Sequence, residues 1–526
     1  MDTVKLSIEL RKMLCLGVLA ASAGCIWSQQ APAVKVVPSK MPKLGTVDPR
    51  YVSYNVEMVE VTGGRFWSPY TNSVQGQPAP QANQEVGGMS SLYQYRAPID
   101  LGNARLRKLA SALGPAYMRV SGTWQNSTYF QNDDNAALKE PPAGFKSVLT
   151  RAAWKGVVDF SSAADAKIVT STAISAGTRD AEGVWTPAQA QAVFDYTKSL
   201  GSSIAAIEFM NEPSFPAQGG APKGYDAEAF AKDVKVFSAF LRNESPNTIF
   251  LGPGGTGEGV SLAPPGVKLK LLETEGLMKA TGPVFDAFSY HFYGTVSKRC
   301  TGTMKIDQAL SAEWLNRSDI SEAFYGSLRD RYLAGKPLWL TETAQSACGG
   351  DKFSGQYADS FRYLNQLGSL AQKGVKVVMH NTLAASDYGL LNEETFEPKP
   401  NYWAALLWHR TMGTVVLDPG QTKDENLRIY AQCMKGSKGG AALVALNTDT
   451  KDAKSLSIPV SGERYTLTAT DLASDKVLLN GSALQAEKDG SLPAIQGKRI
   501  AAGALELAPE SITFVTMPTA RNASCK

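Results

Sequence analysis

The chain has 526 residues, 43% apolar and 19% charged, with 47 glycines and 28 prolines. These frequencies exclude collagen-like and low-complexity classes, and the length suits one large domain and one smaller one. The formal charge is only +4, from 53 basic against 49 acidic residues, so no nucleic-acid partner is expected. With three histidines and no paired cysteines, the chain lacks a zinc pattern; no metal and no cofactor are expected.

At the N-terminus Lys5, Arg11 and Lys12 precede an apolar run ending in small residues near Gly24. A basic start, a short apolar run and small residues read as a secretory signal over 1–33. The run is too short to span a bilayer, and no other segment reaches 18 apolar residues, so no integral membrane span is expected. Two cleavage readings stay open. Ser22-Ala23-Gly24-Cys25 resembles a lipoprotein box that would anchor the chain through Cys25; ordinary cleavage near Ala33 is the other. Either way the mature chain is expected to be secreted or periplasmic. Cys300, Cys348, Cys433 and Cys525 then sit in an oxidising compartment, where spacing alone leaves three pairings open. Residues 34–48 read as a linker or edge strand.

From 49 to 412 short β-branched runs alternate with helical patterns. Strands are expected at 51–61, 116–120, 167–174, 204–210, 248–251, 285–290, 337–341 and 375–379. Helices are expected at 103–113, 145–160, 186–200, 226–243, 267–280, 307–333, 356–373 and 402–412. Thr186 reads as an N-cap with Pro187 at the first helical position. In 226–243, Phe230, Val234, Phe237 and Leu241 fall on one face. Eight β–α units fit an α/β fold of the (β/α)₈ barrel type better than an open sheet. The glycine-rich stretch 253–257 lacks the Lys-Ser/Thr of a phosphate loop and reads as a rim loop. Beyond Gly413 short strands separated by turns, such as Asn480-Gly481 and Asp489-Gly490, indicate a C-terminal β-sandwich over 413–526. Its edge can recruit residues 34–37.

Barrel active sites lie at the C-terminal ends of the strands. Strand four closes on Asn211-Glu212-Pro213 and strand seven on Glu342. A carboxylate directly after a buried strand is costly unless paired or functional. Strands four and seven face each other across a barrel mouth, and two facing carboxylates are what glycoside hydrolysis needs, one as acid/base and one as nucleophile. Asn211 can reach a sugar 2-hydroxyl, and Pro213 is expected to hold Glu212 extended. Strand six ends Tyr290-His291-Phe292-Tyr293, an aromatic wall able to stack a sugar and orient the nucleophile. Glu57, Thr123, Asn381 and Tyr388 stand at or near other strand ends.

These motifs resemble glycoside hydrolase family 79, the heparanase-like β-glucuronidases. The resemblance runs from about Asp48 to the C-terminus and is carried by 114–123, 208–213, 290–293, 339–350, Pro400-Asn401-Tyr402-Trp403, 426–433, 479–481 and 490–493. It implies Glu212 as acid/base, Glu342 as nucleophile, Asn211 on the 2-hydroxyl, and Glu57 and Thr123 on the same sugar. It further implies a glucuronate carboxylate held by backbone amides near Gly349 and Gly350 and by the Tyr388 hydroxyl. The family's sandwich disulfide maps onto Cys433 and Cys525. Cys300 and Cys348, in loops after neighbouring strands, are candidates for a second bridge. The implied activity is that of a retaining β-D-glucuronidase, monomeric, with a glucuronic-acid-containing oligo- or polysaccharide as partner. Long loops after strands one and two favour a pocket and action on terminal residues. Chain-internal cleavage in the manner of a heparanase, and a non-catalytic glycan-binding relative, are the alternatives. Asn-X-Ser/Thr sites occur at Asn126, Asn243, Asn316, Asn480 and Asn522.

Overall fold

A computed structural model describes residues 33–70, 92–262 and 270–526. The signal-like segment, Cys25 and the start of the helix expected at 267–280 lie outside the described residues. Eight parallel strands close a barrel: β1 (Val52–Glu57), β2 (Ala116–Ser121), β3 (Ala166–Ser171), β4 (Ile204–Glu208), β5 (Ile249–Gly255), β6 (Ala287–Tyr293), β7 (Leu338–Ala344) and β8 (Val375–His380). Among the described residues no helix is long and apolar enough to cross a membrane.

Side chains alternate across a strand, so every second residue enters the barrel. The outward set (Val52, Tyr54 and Val56 of β1; Met118 and Val120 of β2; Phe288, Tyr290 and Phe292 of β6) packs under the helices. The inward set changes character along the axis. Tyr117, Val169, Ala206, Leu251, Ala287, Trp339, Val377 and Met379 plug the N-terminal end, with the Tyr117 and Trp339 rings 5.0 Å apart. Asn55, Arg119, Glu208 and His291 follow above that plug, all buried. One end of the barrel is thus a dry core and the other a buried polar chamber.

The second domain is a two-layer sandwich. Its larger sheet carries Met412–Leu417, Leu427–Met434, Ala441–Asn447, Gly462–Thr468 and Ser511–Met517, flanked by Lys43–Thr46 at one edge. Its smaller sheet pairs Lys454–Ile458 with Gly503–Leu507 and, in parallel, with Val34–Lys35. The segment after residue 33 therefore supplies strands to both sheets, and Asn522 pins it by donating to the Pro38 and Met41 carbonyls. Cys433–Cys525 closes the sandwich, and Cys300–Cys348 joins the loops after β6 and β7. The outer face of the larger sheet lies on the barrel helices Tyr357–Gln372 and Pro400–Thr411. Gly368 there leaves no room for a Cβ beside the Tyr430 ring, and Tyr430 donates to Asn365.

Several elements differ from expectation for local reasons. Strand one stops at Glu57, because Glu57 and Glu60 cap each other's backbone and start the helix Met58–Thr62. Residues 145–160 hold the strand Ser147–Thr150 before the helix Arg151–Ala163, which Thr150 caps. Thr186 is not a cap: its hydroxyl donates to the Thr178 carbonyl, and Pro187 takes the N-cap place of Ala188–Ser199. The glycine-rich stretch at 253–257 is not wholly a loop, since β5 runs through to Gly255.

His409, in the helix beneath the barrel, is buried, and burial followed by the Lys435 charge pushes its pKa down to about 3. The folded state holds it neutral while the unfolded chain binds a proton below the ordinary histidine value, so its contribution is lost as pH falls. Relative to His409→Gln, the wild type is expected to lose about 2 kcal/mol of stability between pH 7.5 and pH 5, read by paired denaturant titrations.

Candidate active site

Arg119 projects from the middle of β2 into the barrel with 1% of its side chain exposed. Its Nε and Nη2 donate to Glu208 Oε2 at 3.0 and 2.8 Å, Nη1 to Glu342 Oε2 at 2.8 Å, and Nη2 also to Asn211 Oδ1 at 2.8 Å. Burial alone would lower the Arg119 pKa, but Glu208 and Glu342 outweigh it and hold the guanidinium charged. In return Arg119 and His291 overcome the burial of Glu208 and keep its carboxyl below the usual range. Thr341 donates to the second Glu208 oxygen at 2.8 Å.

Both oxygens of Glu342 have donors: Arg119 on Oε2 and the Tyr293 hydroxyl on Oε1 at 2.6 Å. Asn381 donates to the Tyr293 oxygen at 3.0 Å and to the Tyr388 oxygen at 3.4 Å. Burial, then the Glu342 charge, raises the Tyr293 pKa well above the phenol value, so the phenol keeps its proton as a donor. His291 Nδ1 lies 3.1 Å from Glu212 Oε1 and 3.7 Å from Glu342 Oε2. Burial works against a charged imidazole there, but Glu342 and the contact with Glu212 leave its pKa raised.

Glu212 is the more open carboxylate, with 19% of its side chain exposed. It is not extended: its φ is +47°, in the left-handed region, which costs a non-glycine residue about 1–2 kcal/mol. The neighbouring contacts fix this conformation. Asn126 accepts from the Asn211 backbone N–H at 2.8 Å and donates to its carbonyl at 2.9 Å, holding the turn like a strand partner. Asn126 is 1% exposed and Asn522 3%, so neither can serve as a glycosylation site once the chain has folded.

Glu57, Thr123, Glu212, Tyr293, Glu342, Asn381 and Tyr388 line one cavity of about 550 Å³. Asn211 and His291 sit immediately beneath it, and Asn211 reaches Thr123 at 3.5 Å. Burial and then Glu342 raise the Glu57 pKa well above normal, and its Oε2 has no hydrogen-bond partner. Gly349 and Gly350 do not line the cavity; Ala347 and Cys348 do. Gly349 is covered by Trp67, and its carbonyl accepts from Ser386. Cys348, Gly349 and Gly350 all have positive φ, and their N–H groups bond to nothing among the described residues. Glu212, His291 and Glu342 could together hold a metal, their ligand atoms lying within 4.8 Å of one another. However, Arg119 already supplies a positive charge there, and Tyr293 and Arg119 take both Glu342 oxygens.

Sequence reasoning missed Arg119, Glu208 and Asn126. A charged residue inside an apolar strand run was the available signal for Arg119 and for Glu208; Asn126 carries none without the fold.

Gly122, φ +91°, lies so close under Glu57 that an added Cβ would stand 1.5 Å from Glu57 Oε2. Gly122→Ala is therefore expected to destabilise the protein and displace Glu57. In a Glu57→Ala background only the backbone cost of about 1 kcal/mol should remain, so a double-mutant cycle on unfolding free energy should be non-additive.

The sequence profile of the glycosyl hydrolase family 79 N-terminal domain matches residues 89–368, more than half of the chain. Heparanase-like protein 1 of Arabidopsis thaliana is 27% identical over 486 residues, covering 81% of this chain and 86% of the relative. Hyaluronoglucuronidase of Hirudo nipponia is 26% identical over 470 residues, covering 81% and 92%. Among solved structures, an α-L-arabinofuranosidase from Thermotoga maritima shares the fold, with a TM-score of 0.62 at 13% identity over 92% of this chain and 99% of that one. With the barrel, the sandwich and the profile match in agreement, this chain belongs to glycosyl hydrolase family 79.

Proposed function

We propose that this protein is a retaining β-D-glucuronidase that releases terminal glucuronic acid from oligo- or polysaccharides. The observation that carries the mechanism is the approach of the two carboxylates: Glu212 and Glu342 each bring an oxygen within 4.8 Å of the other. Retaining glycosidases hold their carboxyl groups about 5–5.5 Å apart, whereas inverting ones leave about 6.5–9.5 Å for a water. Glu342, fixed by Arg119 and Tyr293, attacks the anomeric carbon while Glu212 protonates the departing oxygen. The glycosyl-enzyme ester is then cleaved by a water that Glu212 deprotonates. His291 steers Glu212, and Asn211 meets the 2-hydroxyl.

Glucuronate as the sugar is supported by the relatives' names and by the Cys348 N–H at the cavity wall, which bonds to nothing among the described residues. Unpaired backbone N–H groups can take a carboxylate without a buried cation. Tyr388 adds a hydroxyl at the cavity wall, and Glu57 meets the sugar's remaining hydroxyls. Terminal action is supported by the hairpin Gly64–Trp67 and Tyr93–Arg96. It brings Trp67, stacked on Tyr93 at 4.4 Å, against Gly349, and both rings line the cavity.

The test is hydrolysis of an aryl β-D-glucuronide beside the matching β-glucoside and β-xyloside. Wild type should act on the glucuronide alone and release the β-anomer first, as seen by proton NMR. Glu342→Gln should lower turnover by roughly a thousandfold or more. Release of the α-anomer would overturn retention, and equal action on the glucoside would overturn the assigned sugar.

A further inference from the structure

The pocket wall at Trp67 and Cys348 is backed by a buried cation. Arg299, in the loop after β6, has only 9% of its side chain exposed. Its Nη2 donates to Asp387 at 2.8 Å, and Nη1 donates to the Ser68 carbonyl. The guanidinium lies over the Tyr70 ring, 4.0 Å from its centroid, and the Arg299 backbone N–H donates to the Tyr70 hydroxyl at 3.2 Å. Asp387 also accepts the Tyr70 N–H, at 3.2 Å, and the Tyr70 hydroxyl donates to Asp351 at 3.2 Å. Arg299 and Tyr70 together thus join the chain following the hairpin strand Gly64–Trp67 to the loops after β6, β7 and β8. Cys300, next to Arg299, is bridged to Cys348, which lines the pocket and precedes the glycine beneath Trp67.

A planar, five-donor fork can hold several partners in fixed directions at once, which an ammonium cannot. Loops carry large entropy when free, and here a ring contact, an ion pair and a disulfide act on the same few residues. None of these groups reaches the catalytic carboxylates. What they fix is the position of Trp67 and so the length of the sugar-binding end.

We propose that Arg299 is a positioning residue for substrate length: clamped beside Cys300–Cys348, it holds the hairpin against the loops after β7 and β8 so that the pocket admits one terminal sugar. The inference rests on the glucuronidase reading above. It predicts that loosening the clamp turns the pocket into a cleft without touching the chemistry.

The test compares wild type, Arg299→Lys and Asp387→Asn, each first shown folded by its thermal transition. Two probes are used: an aryl β-D-glucuronide, and a glucuronic-acid oligosaccharide whose terminal glucuronate carries an added sugar. Wild type should cut the first and reject the second. Both variants should raise KM for the aryl glucuronide about tenfold with kcat within about threefold, and should cut the capped oligosaccharide internally. Unchanged KM with continued rejection in the folded variants overturns the clamp, as does cleavage of the capped probe by wild type. Inactivity of wild type on both probes overturns the glucuronidase reading, and the clamp with it.

Discussion

A guanidinium buried in the centre of a barrel is tolerable only if each of its nitrogens finds an acceptor, and Arg119 meets that condition through Glu208, Glu342 and Asn211. The rest of the catalytic end is arranged around this charge. Glu208, deeper than Glu212 or Glu342, balances it and lets Glu342 approach on the other side. Remove the cation and two buried carboxylates would face each other and Glu212 uncompensated. Remove Glu208 and the guanidinium would be free to turn away from Glu342. The site is therefore a charge lattice rather than two independent glutamates, with Tyr293, Asn381 and His291 as the hydrogen-bonding layer that orients it.

This lattice needs a dry floor and a supported rim. The floor is the apolar plug of Tyr117, Trp339 and their neighbours, which keeps water from entering below Arg119. The rim is made by loops from distant parts of the chain. Asn126, from the β2 loop, holds the strained turn at Asn211-Glu212. The β1 hairpin, the β7 loop and the β8 loop meet at Trp67, Gly349 and Ser386. The sandwich supports the barrel from outside, burying the helices Tyr357–Gln372 and Pro400–Thr411 that underlie β7 and β8.

The eight-strand order was legible because a parallel barrel strand is a continuous apolar run; the carboxylates were read as closing strands four and seven, whereas Glu212 lies four residues past β4 and Glu342 lies within β7. Strand one was read four residues too long because Met58, Val59 and Val61 continue the apolar run. Only the reciprocal cap between Glu57 and Glu60 turns them into a helix. Glu212 was expected to be extended because proline disfavours the helical region for its predecessor, yet its φ is left-handed, in a turn that Asn126 holds through both backbone groups of Asn211.

What the sequence by itself determined is the α/β barrel with its sandwich, the two carboxylates and the aromatic strand six. Each follows from local periodicity or from a polar residue where burial should forbid one. Only the tertiary structure decided which cation neutralises the site, which asparagine fixes the Asn211 turn and which loops meet at Trp67. Those depend on contacts between residues as far apart as Ser68 and Arg299, brought together by barrel closure, and no pattern along one strand or helix records such a meeting.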